Sequence, residues 1–397
     1  MINKNVLIIP CATQIGVEQY MSLRFNKNFK LIGAAHNHYE DLFSDYIELK
    51  QPLFSSLFIN EIKQIVKNHN IDIILPSHDD VLYILKNDPE LKSLIPGSSK
   101  KTINICRFKN KTYERLLKND KISHRVPQYQ VLKPGFLKPD RGQGSRGSLK
   151  IDNDYLYCEY LPGKEYTIDC FTNSKGQVIY VNPRLRKTII NGISETTSIV
   201  KNNLLFKQIA IQINKVLPFK GSWFFQLKQD KDGLLKFLEV APRIGGGSNI
   251  NRLNGVNLTL SDLYQHTGYD INIINQHLVK EVNRKKPKYN LDFNTLFVDY
   301  DDTFCYIKDI LYNLDKEIII ITRSKVKVDT PYDTIYVKDN ENKSDIINSL
   351  NKSKSIFIDD SFKERKDVFL NCNIPCLTPE ETIYLTAYLT PEDTKYL

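Results

Sequence analysis

With 397 residues, 41% of them hydrophobic, the chain is long enough for two or three domains with real cores, which excludes a disordered or fibrous protein. Its net charge of +9 is scattered apart from one dense run, Arg284, Lys285, Lys286 and Lys288. No zinc-finger spacing, aromatic-basic interleaving or heptad accompanies that run, so it reads as a solvated linker and not as a nucleic-acid arm, and the basic balance suits anionic small molecules. Seven cysteines lie far apart with no CxxC pair, Cys372 and Cys376 being nearest, so reduced thiols and a cytoplasmic protein are expected. The N-terminus, MINKNVLIIPCATQIG, has a five-residue apolar core, too short for a signal peptide or a membrane span.

Strand-like runs come first: VLIIP (6–10), LIGAA (31–35) and IDIILP (71–76). They are separated by segments of helical spacing, as from Leu57 to His69, where Ile59, Ile62, Ile65 and Val66 share one face. This alternation predicts a parallel, doubly wound α/β domain over residues 1–105, with loops carrying Gly16, His78, Asp79 and Asp80 at the edge where such sheets bind ligands. Over residues 106–285 the pattern changes. FLKPDRGQGSRGSLKI (136–151) reads as strand, glycine turn, strand; it lacks the Walker and dinucleotide patterns. Its glycines let backbone N–H groups close over phosphate oxygens while Lys138 reaches them from the side, although an ordinary basic hairpin fits the same residues. YLYCEYL, EYTIDCF, QVIYVNP, SWFFQLK and LLKFLEV follow as strands, with NSKGQ and QDKDG as hairpin turns. The prediction is an α+β domain on an antiparallel sheet, with Trp223 and its Phe neighbours in the core. After the basic linker and Pro287, the buried-type strands in TLFVDYDD, EIIIITRS and SIFIDDS predict a smaller α/β domain over 291–397. His36 and His38 have no third ligand at suitable spacing and read as surface residues.

Three motifs in order, KPDRGQGSRG, EYLPGKEYT and FLEVAPRIGGG, resemble the ATP-grasp superfamily, in detail its branch near the carbamoyl phosphate synthase large subunit and the carboxylate-amine ligases. The resemblance covers about residues 1–280 and implies a pre-ATP-grasp domain followed by the ATP-grasp domain. It implies that Lys109 and Lys138 hold ATP phosphates, that the 142–147 loop with Gly144 and Ser145 folds over them, that the backbone of Glu159 and Leu161 meets adenine, and that Glu165 accepts the ribose hydroxyls. Mg2+ needs hard oxygen ligands, and Gln226 and Glu239 can supply them. Ala241 stands where the family's Glu-x-Asn-Pro-Arg pattern has its asparagine ligand, and Gln226 where many members have glutamate; both weaken the metal site. Arg243 would stabilise charge on the transferring phosphoryl group. Arg186 resembles a second arginine of the substrate loop, and Gly245, Gly246 and Gly247 would let backbone approach the substrate carboxylate.

Asp299 and Asp301 with Thr303, Thr322, Lys343, and Asp359 with Asp360 resemble, in order, motifs I to IV of the haloacid dehalogenase superfamily over residues 293–385. The resemblance implies a capless Rossmannoid domain in which Asp299 is the nucleophile and Asp301 the general acid/base. Thr322 and Lys343 would bind phosphate, and Asp299, Asp301, Asp359 and Asp360 would form a Mg2+ site. Asp302 replaces the usual motif I glycine, and Lys338 rivals Lys343. The expectation is an ATP- and Mg2+-dependent ligase joining a small carboxylate to an amine, fused to a phosphatase-like domain. Nucleic acid and membrane are not expected partners, and a homodimer stays open. Two alternatives also stay open: an ATP-grasp kinase that leaves phosphate on its product, and a ligase with a non-catalytic C-terminal domain.

Overall fold

The computed structural model describes residues 4–36, 42–137, 149–190, 193–201, 203–274, 281–283, 287–288, 293–379 and 381–382. The chain divides into two units: Met1–Arg186, Val200–Gly246 and Leu258–Asn272 form unit 1, and Lys187–Ile199, Gly247–Asn257 and Ile273–Leu397 form unit 2.

Unit 1 opens with strands β1 (Lys4–Ile9), β2 (Phe29–Ala35), β3 (Tyr46–Glu48) and β4 (Ile73–Pro76) in the order β3-β2-β1-β4, every neighbouring pair parallel. Both faces are covered, which is why these strands read as continuous apolar runs. Leu7, Ile9 and Ile74 pack on Phe58, Ile62 and Ile65 of α2 (Phe58–Asn68), while Val6, Ile8 and Ile73 pack with Leu23 of α1 (Gln14–Leu23). Beyond the strand ends the chain turns directly into helices. Thr13 caps α1, its Oγ1 accepting from the Gly16 N–H at 2.9 Å, and His78 caps α3 (Asp79–Asn87), its Nδ1 accepting from the Asp80 N–H at 3.2 Å. Gly16, Asp79 and Asp80, expected in loops, therefore lie in first helical turns, and His78 is a cap.

Helices α4 (Lys100–Cys106) and α5 (Lys109–Leu116) precede an antiparallel sheet of β5 (Glu165–Thr172), β6 (Val178–Ile190), β7 (Gly221–Gln229) and β8 (Leu235–Ala241), ordered β8-β7-β5-β6, with β6 passing into unit 2 after Arg186. NSKGQ and QDKDG make the two hairpin turns, closed by Asn173 N–H to Gln177 O and Asp230 N–H to Leu234 O, each 2.9 Å. The apolar stripe of α6 (Leu204–Val216), with Phe206, Ile209 and Ile213, covers Ile168, Trp223, Phe225 and Phe237. Trp223 is core as expected: it stacks on Phe219 at 4.2 Å, and its Nε1 donates to Thr172 Oγ1 at 2.9 Å. Asp169 and Arg184 form a buried ion pair, Nε to Oδ2 2.7 Å. A Cβ on Gly245 would lie 2.9 Å from the Arg184 guanidinium, so this glycine makes room for the ion pair. Helix α7 (Leu258–His266) completes the unit.

In unit 2, Ile193–Ile199, Glu281–Asn283 and Pro287–Lys288 pair antiparallel. The parallel sheet follows: β9 (Thr295–Val298), β10 (Glu317–Thr322), β11 (Asp333–Tyr336), β12 (Ser355–Ile358) and β13 (Cys376–Leu377), ordered β11-β10-β9-β12-β13. The two-residue period sends Leu296, Val298, Ile318 and Ile320 toward Ile307 and Leu311 of α8 (Cys305–Tyr312). It sends Phe297, Ile319, Ile321 and Phe357 toward Ile347 of α9 (Lys343–Leu350) and Val368 of α10 (Phe362–Cys372).

One contact of unit 1 gives a measurable pH dependence. Asp262 of α7 accepts the Ser222 N–H at 2.7 Å, and Gly221, at φ +76°, leaves space that a Cβ would fill to within 2.3 Å of the carboxylate. Burial raises the Asp262 carboxyl from its ordinary 3.8 to about 7, against the pull of its hydrogen bonds from Ser222. A raised folded-state value means that the folded chain holds this proton more tightly, so the contribution is full below the ordinary value and is lost as pH rises through about 7. Asp262→Asn carries no charge at any pH. Urea unfolding should show it matching the wild type in acid and exceeding it by about 4 kcal/mol in mild alkali; a difference that does not change with pH would contradict this account.

Candidate functional site

Unit 1 brings several of the predicted nucleotide residues together. Gln226 on β7 pairs directly with Glu239 on β8, next to a register shift between Gln226 and Leu227. Directly opposed residues project to the same face, so the two oxygen-bearing side chains share a site. Gln226 donates through Nε2 to Thr167 Oγ1 at 3.4 Å, which turns its amide oxygen away from that contact. A cavity of about 80 Å3 lies alongside, with Asp79, Arg107, Lys109, Tyr113, Glu239 and Ala241 in its wall. Lys109, the first residue of α5, and Glu239 are thus neighbours around one space. The donor set is one carboxylate and one amide; the Ala241 methyl supplies nothing where a third ligand would stand.

Arg243 donates through Nε to Asp79 Oδ1 at 2.6 Å and through a second nitrogen to Asp79 Oδ2, and its NH1 donates to the Ile244 carbonyl at 2.9 Å. It also lies over the Phe224 ring at 5.2 Å. Burial alone would raise the Asp79 carboxyl, but Arg243 more than offsets it and holds the group below its ordinary value. Asp80, beside it, binds Arg107 at 2.7 Å through Nε. Sequence had marked Asp79 as facing the ligand edge; nothing in the sequence pointed to its pairing with an arginine 164 positions away.

The remaining nucleotide residues have other contacts. Glu165, expected at the ribose, pairs with Arg186, expected at the substrate, and with Lys228 at 3.4 Å. The Glu159 N–H is spent on Gln128 O at 3.0 Å, and its carboxylate accepts the Gln128 N–H at 3.1 Å, so of its backbone only the carbonyl is available to an adenine edge. Leu161 is buried in the irregular segment that follows. Lys138, Gly144 and Ser145, like Arg284, Lys285, Lys286 and His38, lie outside the described residues; His36 contacts the Gln51 carbonyl through Nε2 at 2.8 Å.

Unit 2 converges more tightly. Asp299 follows β9, Thr322 ends β10, Lys343 begins α9, and Asp359 and Asp360 follow β12. Lys343 Nζ donates to Asp299 Oδ1 at 2.5 Å and to Asp359 Oδ2 at 2.7 Å, all three residues being buried. The exposed Lys338 pairs with Glu341 at 3.6 Å, so Lys343 is the lysine at this centre. Burial raises the Asp299 carboxyl to about 7; Lys343 pulls it down, and Asp359 and Asp360 push it up. Lys343 itself would be lowered by burial, but the two carboxylates prevail and hold it above its ordinary value. Carboxylate oxygens of Asp299, Asp359 and Asp360 lie within 4.8 Å of one another, a hard-oxygen set of the kind Mg2+ takes. Asp301, also expected as a ligand, is not in that group, because its carboxylate meets Thr322 Oγ1 at 3.4 Å. Thr303 accepts the Asp360 N–H at 3.0 Å and donates to Asp360 Oδ1 at 3.3 Å, tying the turn after β9 to the segment after β12. Asp302 sits at φ 52°, ψ 13°, in the left-handed region that glycine adopts most readily and that aspartate tolerates better than most residues. Sequence reasoning missed Arg323. It bonds Glu364 at 3.1 Å and the carbonyls of Lys338 at 3.0 Å and Glu341 at 2.9 Å, bracing the segment before Lys343; its place beside Thr322 was the available signal.

The parallel sheet and the antiparallel sheet of unit 1 are those of the ATP-grasp fold. Residues 152–287 match the ATPgrasp_Ter family, described as ATP-grasp in the biosynthetic pathway with Ter operon. Solved structures share the architecture. The biotin carboxylase domain dimer of 2-oxoglutarate carboxylase from Hydrogenobacter thermophilus, in complex with MgADP, ADP and bicarbonate, is 14% identical with a TM-score of 0.53, covering 69% of this chain and 72% of its own. N5-carboxyaminoimidazole synthetase from Staphylococcus aureus complexed with ADP is 14% identical, TM-score 0.51, covering 68% and 78%. L-amino acid ligase from Bacillus licheniformis is 16% identical, TM-score 0.52, covering 68% and 76%. No curated protein sequence matches the chain.

Lys343→Met tests the charge balance in unit 2 without any assumption about catalysis. It leaves Asp299 and Asp359 buried without their cation and should cost about 3–5 kcal/mol near neutral pH, less in acid as the carboxylates protonate. Chemical unfolding followed at pH 5 and pH 8 measures it; equal losses at both would show that Lys343 is not the counter-charge.

Proposed function

We propose that the chain is an ATP-dependent carboxylate-amine ligase working through an acyl phosphate, with a pre-ATP-grasp domain over 1–105, an ATP-grasp domain over 106–285, and a haloacid dehalogenase-like phosphohydrolase domain over 291–397. The observation that carries the ligase reading is the in-register pair Gln226 and Glu239 beside a cavity that also has Lys109 in its wall. The ADP-bound neighbours support ATP as the nucleotide. In this reading Lys109 and Lys138 bind phosphates, and Gly144 and Ser145 close over them. The Glu159 carbonyl and the Leu161 N–H meet adenine, Glu165 meets ribose, and Arg243 and Arg186 face the carboxylate as it is phosphorylated. Gln226 and Glu239 would hold Mg2+, which when bound neutralises charge on the β- and γ-phosphates. Positioning and charge neutralisation then suffice without a side-chain nucleophile.

In the C-terminal domain Asp299 would attack a phosphomonoester, with Asp301 protonating the leaving group and later activating water. Thr322 and Lys343 would bind the phosphoryl oxygens, and Asp299, Asp359 and Asp360 would hold Mg2+, whose charge would be added to that of Lys343 at the phosphate. What supports this is the Lys343 ammonium held between Asp299 and Asp359 with Asp360 alongside. Free thiols at all seven cysteines suit a reducing compartment, and we place the protein in the cytoplasm. No helix among the described residues is long and apolar enough to cross a membrane.

Two substitutions separate the activities. Glu239→Ala should abolish carboxylate-dependent ADP formation in a coupled assay with pooled amino and sugar acids, while circular dichroism stays unchanged; near-normal turnover would remove Glu239 from the metal site. In the wild type, ADP and free phosphate should appear together once an amine is added, whereas ADP without free phosphate would mark a kinase. Asp299→Asn should abolish Mg2+-dependent phosphate release from phosphomonoesters and leave ADP formation intact. A wild type inactive on sugar phosphates, nucleotides and phospho-acids, with its ligase half active, would make the C-terminal domain structural.

A further inference from the structure

Unit 1 contains a second cavity, of about 40 Å3, to which the ligase reading gives no occupant. Its wall includes Gln19 of α1, Pro76 at the end of β4, Ser222 of β7, Arg243, and Thr259 and Asp262 of α7. A space of this size takes about two or three water-sized groups. Gln19 is 5% exposed; its Nε2 makes a long contact, 3.5 Å, to the Pro76 carbonyl, and its Oε1 is buried with no hydrogen-bond partner among the described residues. A buried acceptor left unmade costs about 1–3 kcal/mol, so the cavity suits a donor. Asp262 lends one carboxylate oxygen to the Ser222 N–H and has no ion-pair partner among the described residues. The positive charge of Arg243 is already matched by Asp79. Lys86, buried without an ion-pair partner among the described residues, donates to the carbonyl of Ile95, another wall residue, at 2.6 Å; the wall side chains with acceptor capacity to spare, Gln19 and Asp262, suit a donor-rich group such as a small cation.

We propose that this cavity receives the ammonium head of the amine substrate, with Gln19 Oε1 and the Asp262 carboxylate accepting its N–H groups beside Arg243; the inference rests on the ligase reading above. An ammonium cannot attack until it loses a proton. Asp262 takes that proton, leaving a neutral amine and a carboxylic acid, and burial, which raises this carboxyl to about 7, suits it to do so. The amine lone pair then forms the C–N bond to the acyl carbon. The C–O bond to phosphate breaks with its electron pair on phosphate, which leaves as hydrogen phosphate carrying the second amine proton, and Asp262 returns its own proton to solvent.

The test uses the full-length protein, Gln19→Leu and Asp262→Asn, the latter chosen because an amide oxygen still accepts the Ser222 N–H. Methylammonium chloride is the probe, with sodium chloride and tetramethylammonium chloride as controls at equal concentration. Methylammonium should raise the wild-type unfolding midpoint above either control, and both variants should lose that increment. For any amine that the wild type couples, each variant should raise the amine KM about tenfold and leave the ATP KM unchanged, and Asp262→Asn, which lacks the proton acceptor, should also lower kcat. Equal stabilisation of wild type and variants, or none in the wild type, overturns the site. Protection lost in both variants of a protein that forms no ADP would keep the cation site and sink the ligase reading. ADP formation with unchanged amine KM in both variants would do the reverse.

Discussion

The Lys343 ammonium is 2% exposed, and bringing it there alone would cost several kcal/mol. Asp299 and Asp359 repay that cost, and they can do so because both follow adjacent parallel strands, β9 and β12, so that their side chains emerge at one sheet edge. Neutralising buried charge in this way organises the rest of the molecule as well. Asp169 and Arg184 tie β5 to β6 within the antiparallel sheet, and Asp79 and Arg243 tie α3 to the segment after β8. The first of these pairs braces the sheet from within, and the second fixes the direction of the Arg243 guanidinium.

Hairpin register is the second constraint. The shift between Gln226 and Leu227 leaves Gln226 opposite Glu239. A one-residue slip would send one of the two side chains to the other face of the sheet, because side chains along a strand alternate. Ala241, further along β8, is 5% exposed and brings a methyl group, with no ligand atom, to the wall of the cavity. The proposed metal site of unit 1 thus has fewer protein oxygens than that of unit 2, and bound phosphates would carry more of the coordination.

In unit 2, backbone conformation matters as much as side chains. Asp302 takes up the left-handed conformation so that Asp301 can turn toward Thr322 while Thr303 reaches back to Asp360. Arg323 then anchors the loop before Lys343 to α10 through Glu364. Four sequence motifs from separate strands and a helix are joined by hydrogen bonds that run across the sheet edge.

The alternating apolar runs, the two hairpin turns and the order of the motifs were legible because strand period, turn residues and buried-strand composition are local properties of a chain. From them followed the parallel sheets, the antiparallel sheet between them, and the grouping of Gln226 with Glu239 and of Asp299 with Thr322, Lys343 and Asp359. The partners of individual charges were not legible. Glu165 and Arg186 also meet each other, a contact that their separate assignments did not foretell; the Asp301 carboxylate meets Thr322; Asp79 and Asp262 acquired their contacts only from segments distant in sequence. Composition by itself determined a globular, basic chain built of sheets and helices. Tertiary structure decided which carboxylate faces which cation, because that depends on distances between residues as far as 164 positions apart, and a charge's environment is set by whatever the fold packs around it.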